Sequence, residues 1–431
     1  MCKKIKLLVI TGILGITLVQ AQTENSPYSR YGLGDQLPAM NLLNRAIGGI
    51  TAAYNDPITV NFVNPASYSR LKRASFDFGL ELDSRTLRVL DPPRKFSSAT
   101  PIISYIQLGL PLSQKRNWGM NLGLRPVTRI NYKIERNEKQ PMAGVDNINT
   151  TFEGNGGAYE VYAGTGFAIK DLSLGVNLGY LFGSKDYMTS RTITGDSSYT
   201  TFLPARYSTN ASFGGVFGNA GIQYNVKLSK TKTLKLGAFG SLRRELSSTR
   251  DEKVITYALN STTGIDTIDN IVNSSEKGKI VYPATYGAGF VYHNGEKWFI
   301  GADLTQTKWS EYRYFGAEDA VQDSWLMHIG GQVTPNALNA KSYWGRVAYR
   351  AGFSYGQDYV KITEDLPVWT VSLGFGFPMR PAAYTNQFSV INTTIEFGKR
   401  GKNDGLIREN FLRVGFGLTL SDLWFQKRKY D

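Results

Sequence analysis

From Ala74 onward, apolar and polar residues alternate with a period of two in one segment after another. Leu412, Val414, Phe416, Leu418 and Leu420 alternate with Arg413, Gly415, Gly417, Thr419 and Ser421. The same rhythm sets Phe76, Phe78, Leu80 and Leu82 against Asp77, Gly79, Glu81 and Asp83, and Trp369, Val371, Leu373 and Phe375 against Thr370, Ser372, Gly374 and Gly376. A period of two sends successive side chains to opposite faces of a strand. Here the second face is rich in Gly, Ser and Asn, with charges scattered among them, unlike the charged wet face of a soluble sandwich. One lipid-like face and one Gly/Ser/Asn face predict a transmembrane antiparallel β-barrel.

The spacing predicts roughly fourteen strands, near 74–88, 100–112, 117–134, 151–169, 172–189, 207–227, 233–250, 278–293, 297–315, 323–333, 343–356, 367–377, 386–399 and 408–425. Lys170-Asp171, His293 to Glu296 and Ser113 to Asn117 read as tight turns, and the polar segments 135–150, 190–206 and 251–277 as long loops. Short turns at the periplasmic rim and long loops outside are the habit of outer-membrane barrels. An even count puts both chain ends on the periplasmic side. The fold class is therefore all-β, with residues 74–431 as the barrel.

What precedes the barrel breaks the rhythm. Met1 to Ala21 has a basic start (Lys3, Lys4, Lys6), an apolar run from Leu7 to Val19 and a small-residue exit, the pattern of a secretory signal cleaved after Ala21. Residues 22–73 show no alternation, carry a short helical stretch around Met40 to Ile47, and include Leu42, Leu43, Ile47, Ile50 and Phe62. About fifty half-apolar residues ahead of a first strand are expected to fold into the barrel mouth as a hatch, or plug.

Composition narrows the chemistry. Mean hydropathy is −0.26, and no run of 18 apolar residues follows the signal, which excludes a helical membrane protein. Tyr (25) and Phe (22) suit interfacial girdles. The one cysteine, Cys2, lies in the signal, so disulfides and thiol chemistry are not expected. Net charge is +14, or +11 once Lys3, Lys4 and Lys6 leave with the signal. Clusters such as Lys115-Arg116, Lys230 with Lys232, and Lys427-Arg428-Lys429 fall in expected turns or at the chain end, where they suit anionic outer-membrane lipids. No nucleic-acid recognition module accompanies the charge.

No enzyme is expected. His293 and His328 lack paired spacing and read as structural; no metal-ligand cluster, phosphate loop or cofactor motif is visible, and Gly164-Thr165-Gly166 lies inside a strand. Asp77, Glu81, Arg125, Glu160, Lys235, Asp303, Arg346, Arg350 and Arg413 fall on the small polar phase of their strands and are assigned to the lumen. A cation on the lipid face at midplane costs about 2–4 kcal/mol, which drives such residues inward. There they are expected to pair with one another or hold the hatch, with Arg413 and Asp77/Glu81 as the pair that closes the barrel.

Gly48-Gly49 with Ala52-Ala53, then Asp56, then Asn64-Pro65-Ala66 just before strand one, resembles the hatch pattern of the FadL/TodX-type outer-membrane transport family. Tyr282-Pro283-Ala284-Thr285-Tyr286-Gly287 is a further similarity. The resemblance implies a 14-stranded barrel plugged by an N-terminal hatch, with Gly48, Gly49, Asp56, Asn64, Pro65 and Ala66 as its motif residues. It also implies passive uptake of hydrophobic or amphipathic small molecules. The opening Ser26 to Asp35 and the ending Trp424 to Lys429 look instead like a sister group from bacteria with type IX secretion. That similarity implies a second role, an accessory or plug subunit docked to a secretion-system barrel. In either role the last strand is expected to engage the barrel assembly machinery, and no cofactor is needed.

Overall fold

In a computed structural model, residues 26–89, 93–142, 145–194, 203–260, 264–336, 342–362, 364–379, 387–402 and 407–423 are described. The expected signal at 1–21 and the aromatic and basic ending at 424–429 lie outside them.

Fourteen strands form one closed antiparallel barrel. They are β1 (Ala74–Val89), β2 (Arg94–Ser113), β3 (Trp118–Met142), β4 (Val145–Ile169), β5 (Leu172–Thr194) and β6 (Ala205–Lys227). Then come β7 (Lys232–Ser241, continued by Arg244–Asn260) and β8 (Gly264–Tyr282, continued by Thr285–Asn294). The wall ends with β9 (Trp298–Thr307), β10 (Ser324–Val333), β11 (Ala348–Lys361), β12 (Asp365–Pro378), β13 (Phe388–Arg400) and β14 (Ile407–Asp422). Closure is made by β14 on β1, where Arg413 lies opposite Asp83 and Thr419 opposite Asp77. Alternation sets the faces as the sequence implies. Leu412, Phe416 and Leu420 are exposed on the outside, while Arg413 and Thr419 point in.

The wall is uneven. β3 to β6, the second half of β7 (Arg244–Asn260) and the first half of β8 (Gly264–Tyr282) rise well above the rest, because 135–142 pairs with 145–151 and 250–260 pairs with 264–276. These were the segments expected to be loops at 135–150 and 251–277, and the strands correct that reading. Beyond the lipid no face has to be apolar, so a strand can continue without the alternation that marks it inside the membrane. The 190–206 segment is in part strand at both ends.

Two breaks interrupt this tall sheet. β7 breaks at Leu242-Arg243 and β8 at Pro283-Ala284, at one level of the wall, where proline cannot donate to the ladder. On the other side, β2 and β3 pair only through Ile106–Ser113 against Trp118–Leu124, and part above that level. Into this seam comes a two-residue strand, Asp35–Gln36, paired antiparallel with Arg129 and Thr128 of β3.

Residues 26–73 lie against the inner face of the wall. Asn41 caps a short helix, α1 (Leu42–Ala46), by accepting from Asn44 N at 2.7 Å, and Asn64 caps a 3-10 turn, Pro65–Arg70, by accepting from Ala66 N at 3.1 Å. Leu42, Ile47, Ile50, Ala52 and Tyr68 are fully buried.

Candidate functional site

Wall glycines and the inner segment fit at backbone distance. A Cβ at Gly352 would stand 2.0 Å from Gly48 N, one at Gly237 2.0 Å from Ala52 O, and one at Gly221 1.9 Å from Asn64 Oδ1. Gly166 and Gly175 leave the same room for the Pro65 carbonyl. The small face of the strands is therefore a seat for residues 46–70, which explains Gly164-Thr165-Gly166 without a phosphate loop.

The motif residues hold this seat. Gly48 and Gly49 adopt φ of 76° and 100°, a region open to glycine, and turn the chain out of α1 against β10 and β11. Asp56 Oδ1 accepts from Ile58 N and Thr59 N, each at 2.9 Å, fixing a local turn. Asn64 Nδ2 donates to Ala52 O at 2.6 Å and reaches the wall carbonyls of Ala238 and Ile222. Pro65 and Ala66 are buried behind it.

Wall charges expected to face the lumen do so with one exception, and several grip the inner segment. Asp303 accepts from Thr51 N at 2.5 Å and Ala52 N at 2.6 Å. Lys235 donates to Asn55 Oδ1 at 2.7 Å. His328 Nδ1 lies 2.7 Å from Gly48 O, which places the ring proton on that nitrogen and makes this histidine structural. His293 is the second-last residue of β8, its ring tilted against Phe299 with centroids 5.0 Å apart, and not in a turn. Arg350 donates to Gln332 and Asn392, both at 2.7 Å. Glu160 bridges Arg125 at 2.8 Å and Arg244 at 3.1 Å. Arg346 is the exception. It is exposed in the 3-10 turn Tyr343–Arg346 ahead of β11, because the strand starts later than the alternation implied.

The closure pair also differs from expectation. Arg413 meets Asp83, Nε to Oδ1 at 3.4 Å, while Asp77 accepts from Thr419 Oγ1 at 3.1 Å and Glu81 pairs with Arg45. A shift of register by a few residues decides which carboxylate sits opposite the arginine.

Around that closure lies a feature that the wall charges alone did not reveal. Arg45 binds Glu81 and Glu396, and Arg413 lies 3.9 Å from Glu396. Asp83 joins Arg413 to Arg85, which binds Asp35 at 2.5 Å. Asp35 also takes Arg400 at 2.9 Å, and Arg400 binds Asp358 at 2.7 Å and approaches Glu409 at 3.6 Å. Arg45, Arg85, Arg400 and Arg413 thus face Asp35, Glu81, Asp83, Asp358, Glu396 and Glu409 in one connected network with two more acids than bases. Two members, Asp35 and Arg45, belong to the inner segment; the rest come from β1, β11, β13 and β14. Burial pushes the Asp35 carboxyl upward, but Arg85 and Arg400 outweigh it and hold it below its ordinary value. For Arg45, burial alone would lower the pKa, and Glu396 and Glu81 reverse it. A parity signal existed for these residues. Asp83 and Arg85 share the phase of Asp77, and Glu396 and Arg400 that of Asn392, but Arg45 and Asp35 sit where no alternation exists.

Above α1, residues 26–37 cross the lumen as a strap. Lys185 Nζ donates to Gly32 O at 2.9 Å, Tyr187 OH to Arg30 O at 2.6 Å, and Tyr28 OH to Ile407 O at 2.9 Å. An aromatic cluster of Trp309, Tyr312, Tyr359 and Tyr282 packs on the strap, with Trp309 and Tyr359 ring centroids 4.6 Å apart. Between strap, aromatic cluster and lower segment remains a cavity of about 390 Å³, lined by both arginines (Arg125, Arg244) and rings (Phe62, Phe217, Tyr282). No group of three or more metal-ligating side chains occurs among the described residues.

A family model named BamG matches residues 1–431. The chain belongs to the BamG family. Its fold is that of FadL-type barrels. It is similar to the Pseudomonas putida toluene transporter TodX at 17% identity and a TM-score of 0.56, over 90% of this chain and 99% of that one. Likeness to a Pseudomonas aeruginosa FadL homologue is 12% identity and a TM-score of 0.57, over 91% and 100%. For the monoaromatic hydrocarbon channel CymD the figures are 14% and 0.55, over 90% and 99%. At these identities the likeness speaks for the fold. No curated protein matches the sequence.

Proposed function

We propose that this chain is an outer-membrane barrel that acts as an accessory subunit, docking to a larger outer-membrane secretion or assembly translocon through its tall extracellular sheet. Residues 22–73 serve as the hatch that keeps its lumen closed. The observation that carries this reading is the uneven rim. Six strands rise together on one side, and the edge strand among them, β8, carries the exposed apolar residues Ile268, Ile271 and Val272. Exposed apolar side chains grouped on one strand edge suit a contact surface. The charge network points the same way, since an apolar solute gains little from a lumen of paired arginines and carboxylates.

The second reading is passive uptake of an amphipathic small molecule. It is favoured by the 390 Å³ cavity, whose arginines and rings would suit such a solute. The neighbours TodX and CymD are described as a toluene transporter and a hydrocarbon channel, which supports uptake by analogy of fold alone.

One variant separates the two. Replacing residues 252–276 by a two-residue turn shortens the tall hairpin and leaves the membrane-embedded ladder whole. Docking expects the barrel to assemble, native complexes isolated from gently solubilised outer membrane to shrink to the size of the free barrel, and toluene entry into cells to stay unchanged. Unchanged complexes would refute docking. Slowed toluene entry in Arg125→Met or Phe217→Arg, with complexes intact, would put uptake in its place.

A further inference from the structure

Residues 264–278, the upper half of β8, have β7 on one side and, among the described residues, no strand on the other. Residues 266–277 are all exposed. Just below, the chain itself adds a strand to this edge. Arg313–Tyr314 pairs antiparallel with Val281 and Ile280, and Phe315 N donates to Lys279 O at 3.0 Å. Phe315 and Gly316 then take φ of 50° and 81° and carry the chain away. The edge accepts a strand where one is supplied, and is left open above.

Native sheets blunt such edges with proline, short strands, covering loops, bulges or charges; here the bulges are confined to 267–272 and leave 272–278 regular. This one has no proline and runs fifteen residues from Gly264 to Gly278. Register shifts fall between Thr267 and Asp269 and between Asn270 and Val272, and put Ile268 and Ile271 out as the extra residues. From Val272 to Gly278 the ladder with β7 is regular.

We propose that the upper edge of β8 receives an extended segment of a different protein by β-strand addition. The inference rests on the docking reading and names the mode and partner class. Backbone donors and acceptors along 272–278 would supply affinity, and side chains at alternate positions the selectivity. Ile268, Ile271 and Val272 call for apolar residues at one end of the incoming segment. Lys277, with no ion pair among the described residues, calls for an acidic residue at the other. A second copy does not fit. Copies in one membrane are related by an axis along its normal, so their β8 strands run in the same sense. The twofold that joins one strand to itself edge to edge lies across the strands and makes them antiparallel.

The test uses the full chain in its own outer membrane, with a photo-crosslinking residue placed in turn at Asn270, Asn273, Ser275 and Lys277. The expected result is one non-self protein captured at all four sites. Its labelled residues should step along a single continuous segment, about one partner residue for each residue of β8. Proline at Asn273 and at Ser274 adds a check, since neighbouring N–H groups point to opposite sides of a strand. One proline breaks the ladder to β7. The other should leave the barrel heat-resistant and lower capture at Lys277 at least tenfold. Capture of a second copy, of lipid alone, of scattered or helically spaced residues, or of nothing would overturn the proposal, as would capture unaffected by the edge proline. If complexes are lost on shortening 252–276 yet survive the edge proline, docking stands and strand addition falls.

Discussion

Replacing Arg45 by methionine removes the cation that two buried carboxylates share. Arg45 is 2% exposed, and Glu81 and Glu396 are 4% and 5% exposed, so water does not replace the lost partner. Breaking a buried pair from one side typically costs about 3–5 kcal/mol, because the remaining charge is stranded. Arg413, 3.9 Å from Glu396, offsets part of this and favours the lower end for that carboxylate, while Glu81 has no second cation in the network. At about 1.4 kcal/mol per factor of ten, the population with α1 released from the wall should rise roughly 10²- to 10⁴-fold. Amide exchange of residues 42–47 in the detergent-solubilised barrel reads this directly, with heat-modifiable mobility as the control for an intact wall. Adding Glu81→Gln and Glu396→Gln to Arg45→Met should recover most of the protection, since neutral amides replace stranded charges. Exchange within threefold of the parent in the single variant would refute the reasoning. So would a triple variant less protected than the single one.

Phe416→Arg puts a cation on the lipid face, where Phe416 is 57% exposed, and should lower barrel stability by about 2–4 kcal/mol in a urea titration, against little change for Phe416→Leu. Gly352→Ala should loosen residues 46–50 without unfolding the wall, because its Cβ would meet backbone at 2.0 Å; limited proteolysis of the inner segment is the readout, and unchanged cleavage counts against the seat. Since Asp35 titrates below its ordinary 3.8, its contribution is fully present above about pH 4 and fades as pH falls through the lowered value. Exchange of residues 33–37 should therefore be flat from pH 5 to 8 once corrected for intrinsic rates. Asn64→Ala removes a cap and the carbonyl bonds to Ala52, Ile222 and Ala238, and should cost about 1–3 kcal/mol of inner-segment protection.

Within the membrane the barrel was legible strand by strand, because lipid on one side and small residues on the other impose a strict period of two. Legibility ended where that constraint ends. The outer halves of β3, β4, β7 and β8 read as loops, although Ile255 and Tyr257 are buried on one face of β7. Arg346 was misplaced by extending the alternation of β11 past its start. The carboxylates of the wall were found by parity, but their partners were not. Arg45 and Asp35 lie in an aperiodic segment, and only folding reveals that they face β13 and β14. Thr419 shows the same limit. It points inward as expected, yet it is fully buried against Asp77, so a larger side chain has no space there.

The ionic network also ties the order of synthesis to the completion of the fold. Asp35 and Arg45 emerge among the first residues of the chain, and half of their partners, Glu396 and Arg400, emerge among the last. Until β13 and β14 are laid against β1, those early charges have only Glu81 and Arg85 to meet. The N-terminal segment thus gains its full set of ionic partners only in a cylinder that is already shut. A chain missing its final hairpin would leave Arg45 without Glu396 and Asp35 without Arg400.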